Sequence, residues 1–116
     1  MRGQSFRKPE RLRDGVEFAQ ILKNSKSVRE QGVALYFRET ERPRSCVGIV
    51  VSKKVLSKAT DRNRTKRLIR EFYRKHKTEL KKKFDLVVRF GKDYNLLKEN
   101  ELNAILRRLL ERGNLV

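Results

Sequence analysis

Arg62, Asn63, Arg64, Lys66, Arg67, Arg70 and Arg74 crowd into one short stretch of this chain. Set on a helix at roughly 100° per residue, Arg62, Lys66, Arg70, Arg74 and Arg67 share one arc, with Asn63 near its middle. Leu68, Ile69 and Phe72 fall on the opposite arc, so the helix can bury one side and offer the other. A solvated helix face normally mixes signs at i,i+4 spacing, and this one is almost purely cationic. Like charges on one arc repel one another unless a polyanion is near. The chemistry these residues suit is phosphate recognition by a nucleic-acid-binding helix.

Bond-breaking chemistry has no comparable set of residues. The single histidine, His76, falls toward the apolar arc of the same helix, and no Asp or Glu pair has metal-ligand spacing. Without paired acid–base groups or ligands there is no self-contained hydrolytic site, so no catalytic residue, metal site or protein-bound cofactor is expected. The one cysteine, Cys46, excludes a disulfide framework and a thiolate metal cluster, and reads as a small buried strand residue.

Whole-chain charge agrees. Thirty-one Lys and Arg stand against 14 Asp and Glu, a net charge of +17 on 116 residues. Such a field attracts phosphate backbones and anionic membranes alike. A membrane role is disfavoured, because no apolar run approaches the ~20 residues that span a bilayer. Residues 1–13 are polar and basic and carry no cleavable apolar segment. The expectation is a cytoplasmic protein with a single RNA-binding domain over 1–116, of which 1–12 form a basic, mobile arm.

The elements that must position the basic helix follow from periodicity. Asp14 and Glu17 have capping-box spacing, and Phe18, Ile21 and Leu22 mark a short first helix that Asn24-Ser25 stops. Val33, Leu35 and Phe37 alternate with Ala34, Tyr36 and Arg38 as a strand. A polar stretch around Pro43 turns the chain into Cys46–Ser52, which is apolar on both faces and so is expected at the centre of its sheet. Ser57 to Asp61 supplies N-caps for the basic helix, which should run to about Lys77. The Lys81-Lys82-Lys83 run follows as a solvated turn that could add non-specific phosphate contact. Phe84, Leu86, Val88 and Phe90 alternate with Asp85, Val87 and Arg89 as a further strand. Leu102, Ile105, Leu106, Leu109 and Leu110 give a last helix capped at Gly113. The fold class is α+β: a small sheet of three to four strands with helices on one side, in the order α-β-β-(β)-α-β-α.

One sheet face carries Tyr36 and Arg38, with Arg89 on the non-core face of another strand. An aromatic among cations suits stacking on unpaired bases while arginines hold phosphates. The alternative is that Tyr36 caps the core edge with its hydroxyl in water. Alternation leaves both readings open.

Ser52-Lys53-Lys54-Val55, Arg62-Asn63-Arg64 and Lys66-Arg67-Leu68-Ile69-Arg70 together resemble the signature of the bacterial ribonuclease P protein subunit. Phe18, Ser27-Val28, Leu35-Tyr36, Val47-Gly48 and Asp85-Leu86-Val87-Val88 extend the resemblance over residues 11 to about 112. It implies a small basic protein that binds one large catalytic RNA. In that family the RNA, with magnesium, cleaves the 5′ leader from precursor tRNA, while the protein is an accessory subunit of this endoribonuclease and is inactive alone. The protein binds the single-stranded leader in a cleft between the sheet and the first helix. By position the resemblance puts Phe18, Leu22, Ser27, Tyr36 and Arg89 in the leader cleft, with Asn63, Lys66, Arg67 and Arg70 along its margin. It makes Arg62 and Arg64 the main RNA-facing cations, joined by Lys53, Lys54 and Arg74. It also implies a left-handed strand–helix–strand crossover through residues 57–77, in the architecture of the second domain of ribosomal protein S5, where general chirality favours the right-handed form. Two positions depart from the family pattern: Leu22 replaces a common second aromatic, and Ser25 replaces a common glycine. The rival reading from another class is a ribosomal or RNA-assembly protein of similar size and charge.

Overall fold

The computed structural model describes residues 21–116. The basic arm 1–12, the Asp14/Glu17 capping box and Phe18 lie outside the described residues. Residues 21–23 are helical. Strands β1 (Lys26–Glu30), β2 (Val33–Glu39) and β3 (Cys46–Val50) follow, then helix α1 (Ala59–His76) with a 3₁₀ turn at Lys77–Glu79. Strand β4 (Phe84–Phe90) and helix α2 (Glu99–Arg112) complete the order.

The sheet runs β1-β2-β4-β3. Pairs β1·β2 and β2·β4 are antiparallel, and β3·β4 is parallel, so β3–α1–β4 is the crossover unit. The β1–β2 hairpin turns through Gln31 and Gly32, whose φ values of 50° and 80° are those of a two-residue type I′ turn. Gly32 is required there twice over, since a Cβ at this position would sit 2.5 Å from the Tyr94 backbone nitrogen. The optional strand of the expected order is present, but as β1, ahead of the two strands read from sequence and not after them. Of its five residues only Val28 is apolar, and Val28 alone packs on the main core, so no alternation announces an edge strand this short.

β3 corrects an expectation. It is apolar on both faces yet lies at the sheet edge, and β4 takes the central place between β2 and β3. At its Cys46 end β3 is covered on both faces, and that is why an edge strand reads as a central one. On one face Val33, Leu35, Phe37, Val47, Leu86, Val88 and Phe90 form the main core with Leu68, Ile69 and Phe72 of α1 and the leucine stripe of α2. On the other, Ile21 meets Cys46 and Val87, all three 2 % exposed or less. The expectation of helices on one side therefore holds for α1 and α2 but not for residues 21–23. Cys46 is buried, as its strand position implied.

One further detail differs from the sequence expectation. α1 begins after Lys58 with no side-chain cap, so neither Ser57 nor Asp61 serves as its N-cap. α2 ends at the expected cap, Gly113; Asn114, with φ of 60°, takes the left-handed position beyond it, and the Leu115 N–H returns to the Leu110 carbonyl at 2.9 Å. The Tyr73 hydroxyl donates to the Ser45 carbonyl at 2.9 Å, and the Ser45 hydroxyl accepts from the Phe84 N–H at 2.9 Å. That relay fixes the C-terminal half of α1 to the start of β3 and β4.

Carboxylates are spent along the α2 side. Arg108 donates to both oxygens of Glu30, with Nε at 3.1 and 2.9 Å, and Arg112 donates to the Arg29 carbonyl at 3.0 Å. Arg107 and His76 meet opposite oxygens of Glu79, each at 2.7 Å. The Arg108 hydrogen bond holds the Glu30 carboxyl below its ordinary value of 4.5. The folded protein thus keeps Glu30 ionised to lower pH than the unfolded chain does, and unfolding below that value takes up a proton. This contribution is complete above pH 4.5 and fades as pH falls through the depressed folded value. Arg108→Ala should therefore lower stability at pH 7, by the small amount an exposed pair supplies, and by progressively less as pH falls, which flattens the acid side of the stability–pH curve. Urea unfolding at several pH values between 3 and 7 checks this.

Candidate nucleic-acid interface

Two surfaces meet along the β3 edge. The first is the sheet face opposite α1 and α2. Register places Ser27, Tyr36, Val87 and Gly48 in one row across the four strands, and Arg29, Ala34, Arg89 and Val50 in the next. The face is therefore an aromatic row beside a row that carries two arginines. Tyr36 is half-buried, and together with Leu22 and Val50 it packs against the Ile21–Cys46–Val87 cluster. Arg89 is exposed, and the loop after β3 brings Ser52 and Lys54 over the same ground. The result is an open cleft of about 380 Å³, with Tyr36 and the Arg29, Arg89, Lys54 and Lys92 cations among its walls.

Four residues expected in one cleft, Leu22, Ser27, Tyr36 and Arg89, thus lie together on one face. The fifth, Phe18, lies outside the described residues. Arg29, Lys92 and Ser52 also line the cleft, and sequence reasoning missed them. Arg29 joins it only through the β1–β2 register, which a strand with one apolar residue does not disclose. Arg38, the other cation singled out on this face, is turned inward to Asp85, 3.3 Å away and 1 % exposed. It serves the fold there.

The second surface is α1 with the loop before it. Thr65, Leu68, Ile69, Phe72 and Tyr73 are buried, which leaves Asn63, Lys66, Arg67, Arg70 and Arg74 on the outer arc. Arg74 is paired with Glu71 at 2.9 Å, and its hydrogen bond holds the Glu71 carboxyl below the usual range. Lys53, Lys54, Lys66 and Arg89 form no ion pair among the described residues, and Arg67 makes none of its own beyond its electrostatic pull on Glu71.

Arg62 and Arg64 behave differently from the rest of the motif. Two residues apart on a helix, they point to opposite flanks. Arg62 donates from one guanidinium nitrogen to the Leu56 and Ser57 carbonyls, both at 2.9 Å, and so ties the helix to the preceding loop. Arg64 reaches the Leu97 carbonyl at 3.4 Å, before α2. Both are half-buried. Their guanidinium groups hold the chain around α1 as well as carrying charge, and the remaining N–H groups stay available to a phosphate.

The geometry can grip phosphates and receive an unpaired base. Among the described residues no three His, Cys, Asp or Glu side chains come together as metal ligands, and no helix is long and apolar enough to cross a membrane.

Comparison with known proteins agrees with this geometry. Residues 6–114 match the family model described as Ribonuclease P. The ribonuclease P protein component of Thermotoga maritima is 41% identical over 85 residues, 73% of this chain and 72% of that protein. The one from Thermoanaerobacter sp. strain X514 is 35% identical over 113 residues, covering 93% of this chain and 97% of its own length. Among experimental structures, the Staphylococcus aureus RNase P protein aligns with a TM-score of 0.83 at 26% identity, over 91% of this chain and 96% of that one. The Thermotoga maritima RNase P protein aligns at 0.76 with 36% identity, over 89% and 96%. Fold, basic helix and sequence converge, and the chain belongs to the ribonuclease P protein family.

Proposed function

We propose that this protein is the accessory subunit that binds the catalytic RNA of ribonuclease P and the single-stranded 5′ leader of precursor tRNA. The observation that carries the reading is the division of charge. Arg29, Arg89, Lys54 and Lys92 in the Tyr36 cleft, with Lys53 and Lys66 beside it, form no ion pair among the described residues, while on the α2 side Arg107 and Arg108 are neutralised by Glu79 and Glu30. A leader base stacks on the Tyr36 ring, and Arg29, Arg89 and Lys54 hold the phosphates on either side. Lys53, Lys66, Arg67 and Arg70 meet the backbone of the RNA subunit. Phe18 belongs to the same cleft in this reading.

The protein's part is binding, and the hydrolysis belongs to the RNA with its magnesium. Affinity for the leader, a portion of the substrate remote from the reacting bond, raises the occupancy of the precursor over the mature product. Reconstitution tests this directly. Protein added to ribonuclease P RNA at low magnesium should restore cleavage of precursor tRNA, and RNA-free protein should cleave nothing. A protein that assembles with RNA but leaves the reaction unstimulated would fit the ribosomal or assembly role instead.

A further inference from the structure

A second basic surface lies at the other end of β2. Between the start of β1, the end of β2, the turn before β4 and the end of α2 is a cleft of about 500 Å³. Lys26, Lys81 and Lys82 line it, with Asn24 and Asn114 at its rim. Its floor is the edge-to-face pair Phe37 and Phe84, ring centroids 6.4 Å apart and both rings under 10 % exposed. Ala34 in the Tyr36 cleft and Glu39 in this one are five residues apart along β2, roughly 17 Å.

The lysines here are not consumed by the fold to the same degree. Lys81 is: its ammonium donates to the Asn114 side-chain oxygen at 2.6 Å and its N–H to the Leu115 carbonyl at 2.8 Å, tying the turn to the chain end. Lys82 faces Glu39 at 3.4 Å with both side chains more than 60 % exposed, a pair worth little in water. Lys26 is exposed and has no ion pair among the described residues. Glu39 and the C-terminal end of α2 oppose an anion, but the carbonyls of Leu109 and Leu110 already accept from Gly113 and Leu115. Positive charge prevails.

We propose that this cleft is a second RNA-docking surface, which holds the phosphate backbone of a base-paired segment of the RNA subunit. The inference rests on the accessory-subunit reading above. Paired rather than unpaired RNA follows from the rings. Phe37 and Phe84 are buried, so no exposed aromatic offers a stacking platform, and lysine contacts without stacking read the shape and charge of a duplex. One protein would then tie together two stretches of RNA, one along α1 and one here.

The test is the salt dependence of binding to the RNA subunit, measured for the full chain and for two sets of variants. Lys26→Ala/Lys82→Ala leaves the Lys81 tie intact and should lower the slope of log affinity against log salt by between one and two units. It should leave the preference for leader-bearing over leaderless tRNA unchanged. Lys26→Gln/Lys82→Gln, which keeps most of the side-chain length without the charge, should do the same, and circular dichroism should show both folded. An unchanged slope here, with a lowered slope for Lys66→Ala/Arg67→Ala, would overturn the second surface while leaving the α1 reading in place. Unchanged slopes in both sets would remove the RNA-docking reading itself. A reduced leader preference would overturn the proposal differently, by making this cleft part of the leader path.

Discussion

Replacing Lys53, Lys54, Lys66 and Arg67 together by glutamine is expected to cut the salt slope of binding to ribonuclease P RNA by about three units. A difference of that size makes the loss strongly dependent on conditions. Between about 50 and 200 mM salt the parent should weaken roughly sixtyfold more than the variant, because affinity scales as salt raised to the slope. The four side chains suit this test because none is buried and none holds another element in place. Arg62→Ala/Arg64→Ala would be harder to interpret. Those changes also release the hydrogen bonds to Leu56, Ser57 and Leu97, so a lost affinity could reflect a displaced helix. Filter binding at several salt concentrations gives the slopes, and thermal unfolding shows whether each variant keeps its fold.

That contrast within one motif shows where sequence stops. The helical arc of Lys66, Arg67, Arg70 and Arg74 was legible because buried Leu68, Ile69 and Phe72 fix which way α1 faces. What Arg62 and Arg64 touch was not, because their partners are backbone carbonyls outside the helix, and periodicity describes only the helix itself. The same limit appears in the sheet. β4 was read at its observed bounds from alternation, yet its central place was not, because β3 is equally apolar and the covering of its outer face by Ile21 comes from another part of the chain. Tyr36 was assigned to the right face from its own strand. Arg29 was missed because its place in the cleft depends on a register set by the Gln31-Gly32 turn.

Tyr36→Leu is expected to cost about 1–3 kcal/mol of precursor affinity, the range for one stacked base, or roughly five- to 150-fold. Leaderless tRNA should bind parent and variant equally. Tyr36→Phe should retain most of the affinity, since it keeps the ring and loses only the hydroxyl. Leucine is the informative partner because Tyr36 packs beside Leu22 and Val50 on the Ile21–Cys46–Val87 cluster, and a bulky apolar side chain keeps that packing. An alanine would confound stacking with a cavity. If leucine and phenylalanine were tolerated alike, or if leaderless tRNA lost as much as precursor, Tyr36 would be a core-edge residue and no base platform.

Ser27 offers the most direct view of the cleft. It is exposed, sits directly across from Tyr36 on β1, and points to the same face of the sheet. A photo-crosslinking side chain placed there reports what lies over the ring without removing it. In the assembled holoenzyme with precursor tRNA, its crosslinks should fall on nucleotides of the 5′ leader and vanish with a leaderless substrate. Crosslinks confined to the RNA subunit or to the body of the tRNA, with none on the leader, would contradict the assignment of this sheet face.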